Sequence, residues 1–232
     1  MKQIDICIPT WERYELTLES FSDVYDDERI ANIIIVDDCS SIEIFNKLKS
    51  ICDCLPKVSL YRNVTNQDCY SNKMIAASYA KSSYIVIFDS DNKLNKEYID
   101  KIYNEEWYEK RILAPVFARP TFDYRQFSNM VISKENARFI LDEPMFTTAL
   151  NTMNFFINKE RYLETFDRNF NPVTADSIYI NYLWLKNGGE IKFVDGMEYD
   201  HLVHQQSHYI NNVAHTPSGL NEILIENIRN LR

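Results

Sequence analysis

The chain has 232 residues, 45% hydrophobic and 25% charged, the length and balance of a soluble globular protein with one substantial core or two small ones. No apolar stretch approaches the ~20 residues that a membrane span requires. The formal net charge of −9 excludes a general binder of nucleic acid or anionic membrane, while leaving room for a local basic pocket for phosphates.

Ile4 to Ile8 reads as a first strand, stopped by Pro9-Thr10. Glu15 to Tyr25 has helical spacing, with Leu16, Leu18, Phe21 and Val24 as its apolar positions. Asn32 to Val36 predicts a second buried strand, ending at Asp37-Asp38-Cys39-Ser40. Ser40 or Ser41 can cap the helix that follows, where Ile44, Leu48 and Ile51 recur at helical spacing. Lys57 to Tyr61 predicts a third, shorter strand, and Cys69 to Lys81 a helix rich in Ala and Met. The run Tyr84-Ile-Val-Ile-Phe88 then predicts a buried strand that stops at Asp89-Ser90-Asp91.

The second half is less regular. Asn95 to Tyr108 reads as a helix, and Arg111 to Phe117 as a strand interrupted by Pro115 and hence near an edge. Residues 119–151 resist assignment and suit a substrate-facing segment. Asn154 to Ile157 predicts a strand, and Ala175 to Lys186 a helix with Ile180, Leu183 and Trp184 inward, stopped by Gly188-Gly189. Glu190 to Val194 returns as a strand. Leu220 to Leu231 is an amphipathic helix with Ile223, Leu224 and Ile228 as its buried face. No repeat, low-complexity run or linker interrupts the chain, so one domain over 1–232 is expected.

Strands and helices alternate through the first ninety or so residues, which implies a parallel sheet with right-handed crossovers. Open sheets of this kind bind ligands at the carboxyl ends of their strands. Thr10, Glu12, Asp37, Asp38, Asp89 and Asp91 are therefore expected in one acid-rimmed cleft, which a nucleotide bound with a divalent cation would suit. Asp89 and Asp91 repel each other unless a cation or a basic side chain lies between them. Hard divalent ions take oxygen ligands and keep positions open for phosphates. Taken alone, Asp-Ser-Asp is also ordinary turn chemistry.

The five cysteines all fall in the first third, odd in number and without metal-type pairing. They read as free thiols in a reducing compartment, and with an acid, Asp5, where a signal peptide needs its apolar core, a cytoplasmic location is expected. The four histidines, His201, His204, His208 and His215, cluster near the C-terminus. With four glycines in all, the chain has no glycine-rich phosphate loop.

Ile8-Pro9-Thr10-Trp11-Glu12-Arg13 resembles the opening Ile-Pro-Thr-Tyr-Asn-Arg of family 2 glycosyltransferases, and Val36-Asp37-Asp38-Cys39-Ser40 resembles their Val-Asp-Asp-Gly-Ser. Tyr79 to Asn92 looks like the family's approach to Asp-x-Asp. Thr174-Ala175-Asp176-Ser177 resembles its Glu-Asp-x-Asp region, and Glu198-Tyr-Asp-His201 its closing strand before a metal-ligand histidine. The matches keep the family's order and spacing from residue 4 to about residue 208. Four departures stand out: Glu12 for Asn, Cys39 for Gly, Lys73-Met74 for Arg-Asn, and Ala175 for Glu.

The resemblance implies an α/β fold of GT-A type, with a Rossmann-like, mostly parallel central sheet flanked by helices and a small antiparallel element in the C-terminal half. Residues 1–92 would form the nucleotide-binding half, 93–208 the acceptor-binding and catalytic half, and 209–232 a tail helix. The implied reaction moves a sugar from a nucleotide diphosphate, UDP being the usual case, to an acceptor hydroxyl with inversion, as in polysaccharide biosynthesis. Asp38 would hydrogen-bond the base, with Pro9, Thr10 and Glu12 lining the same pocket. Asp89, with Ser90 beside it, would hold the ribose or a metal-bound water, and Asp91 would bind Mn²⁺ or Mg²⁺ directly. His201 would be the further metal ligand, with His204 as competitor and Asp89 as the alternative acid. His208 would meet a phosphate, and His215 would be a loop residue. Lys73 would assist at a phosphate, against the plainer reading of a surface lysine. Asp176 would be the general base, against the plainer reading of a helix cap.

The expected partners are a nucleotide-sugar donor and a glycan, lipid-linked or protein acceptor, with no nucleic acid, no transmembrane segment, and at most a transient meeting with a membrane. Two other readings compete. A nucleotidyltransferase would carry a glycine-rich N-terminal loop with a basic residue, where this chain has Pro9-Thr10-Trp11. A non-catalytic nucleotide-binding module is opposed by Asp89, Asp91, Asp176 and His201 and left open by Ala175.

Overall fold

A computed structural model of the chain describes residues 2–141, 145–151, 153–202 and 213–231. The first strand, β1 (Ile4–Thr10), is buried at every position, as a strand covered on both faces must be. β2 (Ile30–Asp37), β3 (Val58–Arg62) and β4 (Tyr84–Ile87) complete a parallel set around it, joined by α1 (Tyr14–Ser20), α2 (Ile42–Cys52) and α3 (Asp68–Tyr79). The chain continues through β5 (Asn92–Lys93), α4 (Lys96–Tyr103), β6 (Arg111–Ala114), β7 (Phe117–Arg119), β8 (Phe122–Asp123) and β9 (Val131–Ile132). Then follow α5 (Ala137–Ile140), α6 (Phe146–Ala149), β10 (Phe155–Asn158), α7 (Lys159–Thr165), α8 (Asp176–Lys186), β11 (Glu190–Phe193), β12 (Glu198–His201) and α9 (Leu220–Arg229).

These strands form an eight-stranded sheet, β3-β2-β1-β4-β10-β6-β11-β9, and a four-stranded one, β5-β12-β7-β8. In the large sheet β10 runs antiparallel between β4 and β6, and β9 closes the far edge antiparallel to β11. Side chains alternate across the sheet and divide the core in two. Cys7, Ile34, Val36, Ile85 and Ile87 pack with residues of α3, α7, α8 and α9. Ile6, Ile8, Ile33, Ile35 and Val86 pack with residues of α2 and α4. Among the described residues no helix is long and apolar enough to cross a membrane.

Several expected elements differ in extent. The helix expected to Tyr25 stops at Ser20, whose hydroxyl bonds back to Thr17 O at 2.7 Å, and Ser22–Val24 forms a separate 3-10 turn that keeps Val24 buried. Ser41 stands at the N-cap of α2 but makes no side-chain cap, because its hydroxyl serves Glu12 and that of Ser40 serves Asp37. Ile51 points outward at 40% exposure, and Cys52 takes the inward place beside Leu48. In α9 Ile223 is exposed, and Leu220, Leu224 and Ile228 form the buried face. The helix expected to reach Tyr108 ends at Tyr103, and Trp107 folds back to donate to Ile102 O at 2.8 Å. Asn95 caps that helix by accepting from Tyr98 N at 2.9 Å.

Pro115 does interrupt a strand, but not at an edge. β6 lies between β10 and β11, and the chain leaves the large sheet at the proline to continue as β7 in the small one. The described residues of 119–151 hold short pieces of strand and helix, each of two to four residues.

One buried acid locks β1 to the turn before β4. Asp5 is fully buried and accepts from Lys81 N at 2.6 Å, Ser82 N at 2.9 Å, Ser82 Oγ at 3.0 Å and Asn32 Nδ2 at 2.9 Å. Asp5→Ala leaves these donors without their acceptor, so it should lower the unfolding free energy by about 3 kcal/mol. Urea denaturation checks this as a lower midpoint with an unchanged slope.

Candidate functional site

The parallel strands β1, β2 and β4 end on the same side of the sheet, and their terminal residues open into a cleft of about 1040 Å³. At the end of β1, Pro9 and Thr10 line it, and Thr10 Oγ1 pairs with Thr17 Oγ1 at 2.6 Å. Glu12 follows at φ 55°, its carboxylate taken by the backbone N–H and hydroxyl of Ser41. At the end of β2 the two acids part. Asp37 turns to Ser40 and Arg62, while Asp38 lines the cleft. Asp38 Oδ1 accepts from Asn63 Nδ2 at 2.7 Å and Gln67 N at 2.8 Å. Burial pushes its carboxyl above the usual carboxylate range, against the pull of those bonds. Cys39 takes φ 62°, the left-handed region that explains a glycine at this turn.

The cleft is organised around Lys73. The expectation of a surface lysine fails: Lys73 is 3% exposed, and its Nζ lies 2.7 Å from Asp176 Oδ2 and 3.0 Å from Asp89 Oδ1. Burial alone would lower the amine, but the two carboxylates outweigh it and hold Lys73 well above the ordinary lysine range as a cation. Asp89 is pushed up by burial, with Lys73 opposing. Asp176 is the first residue of α8. The cap position belongs to Ala175, which makes no side-chain cap, so the carboxylate faces Lys73 and the cleft instead of its own helix. Cys69 Sγ lies 3.8 Å from Asp176 Oδ2, and burial raises that thiol well above its ordinary value.

The second acid of the strand end has its own cation. Arg13, from the turn after β1, forms an ion pair with Asp91. Antiparallel pairing of β12 with β5 places His201 opposite Asn92, where His201 Nδ1 lies 2.9 Å from Asn92 Oδ1. Asn154 completes the frame by accepting from Asp89 N at 2.7 Å.

Pro9, Thr10, Glu12, Asp38, Lys73, Asp89, Ser90, Asp91, Asp176 and His201 thus all line one cleft. His204 and His208 lie outside the described residues, and His215 is exposed in a 3-10 turn. Sequence reasoning gave no role to Arg13, Cys69, Asn92, Asn151, Asn154 or the half-exposed Trp11, which line the cleft too. A signal for Lys73 was present: it sits three residues after Tyr70 and four before Ala77, both on the buried face of α3. Among the described residues no three His, Cys, Asp or Glu side chains are grouped to hold a metal ion. Asp91 and His201 do offer a carboxylate and an imidazole to the same space.

The family described as Glycosyl transferase family 2 matches residues 5–167. No curated protein matches the chain. Among solved structures, S. aureus TarS 1-349 in complex with UDP-GlcNAc is similar over 89% of this chain and 60% of its own, at 14% identity and a TM-score of 0.67. The same protein in complex with UDP covers 87% and 60%, at 14% identity and a TM-score of 0.63. A longer TarS chain is similar over 89% of this chain but only 38% of its own length, at 13% identity and a TM-score of 0.62. The mostly parallel central sheet with a small second sheet is the architecture these structures share with this chain.

Removing the central cation tests the cluster. Lys73→Met leaves the buried Asp176 and the part-exposed Asp89 facing each other, which should cost about 3 kcal/mol of stability at pH 7.5. The loss should shrink as pH falls toward 5.5, because the raised carboxyl of Asp89 takes up a proton in the folded state and relieves the repulsion. Thermal unfolding of both proteins across that range measures it.

Proposed function

This chain belongs to glycosyl transferase family 2, and from that premise we propose that it moves a sugar from a nucleoside diphosphate donor, of the UDP class, to an acceptor hydroxyl with inversion at the anomeric carbon. The observation that carries the reading is the meeting of Asp89, at the strand end, with Asp176, at the start of α8, across the single Lys73 amine. One carboxylate belongs to the donor side of the cleft and the other to the acceptor side. The TarS structures with UDP and UDP-GlcNAc support a UDP-type donor for this chain.

In this reading Asp38 receives the nucleotide base, with Pro9, Thr10 and Glu12 around it and the exposed face of Trp11 at the rim. Asp89 and Ser90 lie along the ribose and diphosphate. Asp176 is the general base. Its Oδ2 is anchored by Lys73, and Oδ1 takes the proton of the acceptor hydroxyl as that oxygen attacks. The nucleoside diphosphate leaves from the opposite face of the sugar.

A divalent cation fits the donor set. Asp91 and His201 would supply one hard oxygen and one imidazole nitrogen, a donor pair that suits Mg²⁺ or Mn²⁺. The cleft is also acidic: among its described lining residues Glu12, Asp38, Asp68, Asp89, Asp91 and Asp176 outnumber the cations Arg13 and Lys73. A diphosphate entering it brings more negative charge. Asp91, His201 and Arg13 would hold the cation and diphosphate, and the cation's chemistry there is neutralisation of the departing diphosphate. A nucleotidyltransferase reading is set apart by its product, since it would release pyrophosphate instead of UDP.

Two measurements test this function. Calorimetric titration with UDP should show tighter binding with Mn²⁺ than in EDTA, and equal affinity in both would sink the bridging cation. Asp176→Asn should keep UDP binding and lower transfer about 10³-fold. A fully active variant removes Asp176 as the base.

A further inference from the structure

The ion pair on the second acid of the strand end ties up a group that the proposed reaction needs for something else. Arg13 and Asp91 meet in the cleft with side chains 9% and 18% exposed, and Asp91 is also the carboxylate that would face a divalent cation beside His201. A guanidinium and a divalent ion on one carboxylate repel each other, so each weakens the other's hold. The backbone of Arg13 is fixed: its carbonyl accepts from Thr17 N at 3.0 Å and Thr17 Oγ1 at 2.8 Å, and Glu12 before it is pinned to Ser41. A change of partner by Arg13 is therefore a swing of its side chain about a still backbone. Lys73 has no such freedom. Its amine is 3% exposed, and leaving Asp89 and Asp176 would uncompensate both.

The proposed cation site is weak on protein groups alone. Asp91 and His201 are two donors, and hard divalent ions held by so few fill their remaining positions with water and substrate phosphate. In the donor-free protein such an ion must also displace a guanidinium from the carboxylate. A diphosphate changes both sides of that balance. It brings oxygens of its own, and it offers Arg13 an anionic partner matched to the planar fork of its N–H groups.

We propose that Arg13 is the resident counter-ion of Asp91 in the donor-free protein and a ligand of the diphosphate in the loaded one, so that Asp91 accepts a divalent cation well only as the diphosphate draws the guanidinium away. This rests on the donor and cation of the function inferred above. Arg13 then does two jobs with opposite signs: it opposes the cation alone and favours the diphosphate. The two ligands enter as a coupled pair, and by linkage each raises the other's affinity by the same factor.

The test uses the full chain and two direct binding measurements, neither of which needs turnover. Mn²⁺ is titrated into nucleotide-free protein and its free signal read by electron paramagnetic resonance. UDP is titrated by calorimetry in EDTA. Arg13→Gln should bind Mn²⁺ about tenfold more tightly than the wild type and UDP about tenfold more weakly. A merely structural arginine would move both affinities the same way or neither. Should Arg13→Gln fail to fold, Arg13→Met, which keeps the aliphatic stem, is read in its place. Adding Asp91→Asn to the Arg13 variant should erase the gain in Mn²⁺ affinity. Mn²⁺ binding that is unchanged or weaker in the Arg13 variant, or a gain that survives Asp91→Asn, overturns this inference. Sugar transfer by the wild type is scored separately with UDP-sugars: transfer without the Arg13 effect leaves the glycosyltransferase reading standing and removes this one, whereas the opposed shifts in a protein that turns over no nucleotide sugar uphold the exchange at Asp91 and sink the transfer.

Discussion

One ammonium group sets the arrangement of this site. Lys73 carries its charge into the interior from α3 and divides it between Asp89, at the end of β4, and Asp176, at the start of α8. A buried lysine is costly, and so is each buried carboxylate; together they offset one another only while the geometry holds. The consequence is mutual dependence. A shift of α3 relative to the sheet would withdraw the amine from Asp89 and Asp176 and leave both uncompensated.

The same logic repeats on the second acid of the strand end. Asp91 is met by Arg13, from the turn after β1. The two carboxylates of Asp-Ser-Asp are therefore pulled apart by two different cations, one approaching from α3 and the other from the N-terminal turn. The small sheet adds the third component. By pairing β12 with β5 it brings His201 beside Asn92, so an imidazole from the end of the fold stands next to an acid pair from its middle. The two cations and the imidazole thus arrive on three different elements, and pairing between those elements holds them against the acid pair.

The sequence made the parallel half legible because buried parallel strands are continuous apolar runs. Ile4 to Ile8, Asn32 to Val36 and Tyr84 to Phe88 stand out for that reason, and Glu12, Asp38, Asp89 and Asp91 beyond their ends reach one cleft because parallel strands end together, while Asp37 turns away to Ser40 and Arg62. Legibility failed where that signal is absent. The described residues of 119–151 form strands and helices of two to four residues, too short for any period to show. The edge position expected for β6 failed because the proline marks a change of sheet, a non-local event. Ile51 and Ile223 were misplaced inward because each helix had an adjacent residue, Cys52 or Leu224, on the true buried face. Lys73 was misread because lysine is almost never buried, and only its partners, distant in sequence, reveal why this one is.

The placement of β10 has a consequence for how the chain reaches this structure. β4 is hydrogen-bonded to β1 on one side and to β10 on the other, with Ile87 opposite Phe155. During synthesis, β1 to β4 are complete long before β10 exists, so the strand that bears the acid pair begins life as an open edge. Open edges of apolar strands invite pairing with other chains. Bringing β10 home is a pairing of strands far apart in sequence, the kind of contact that slows folding relative to local helices. The strand end that bears the acid pair becomes a sheet interior only when a partner from far downstream slots in against the direction of its neighbours.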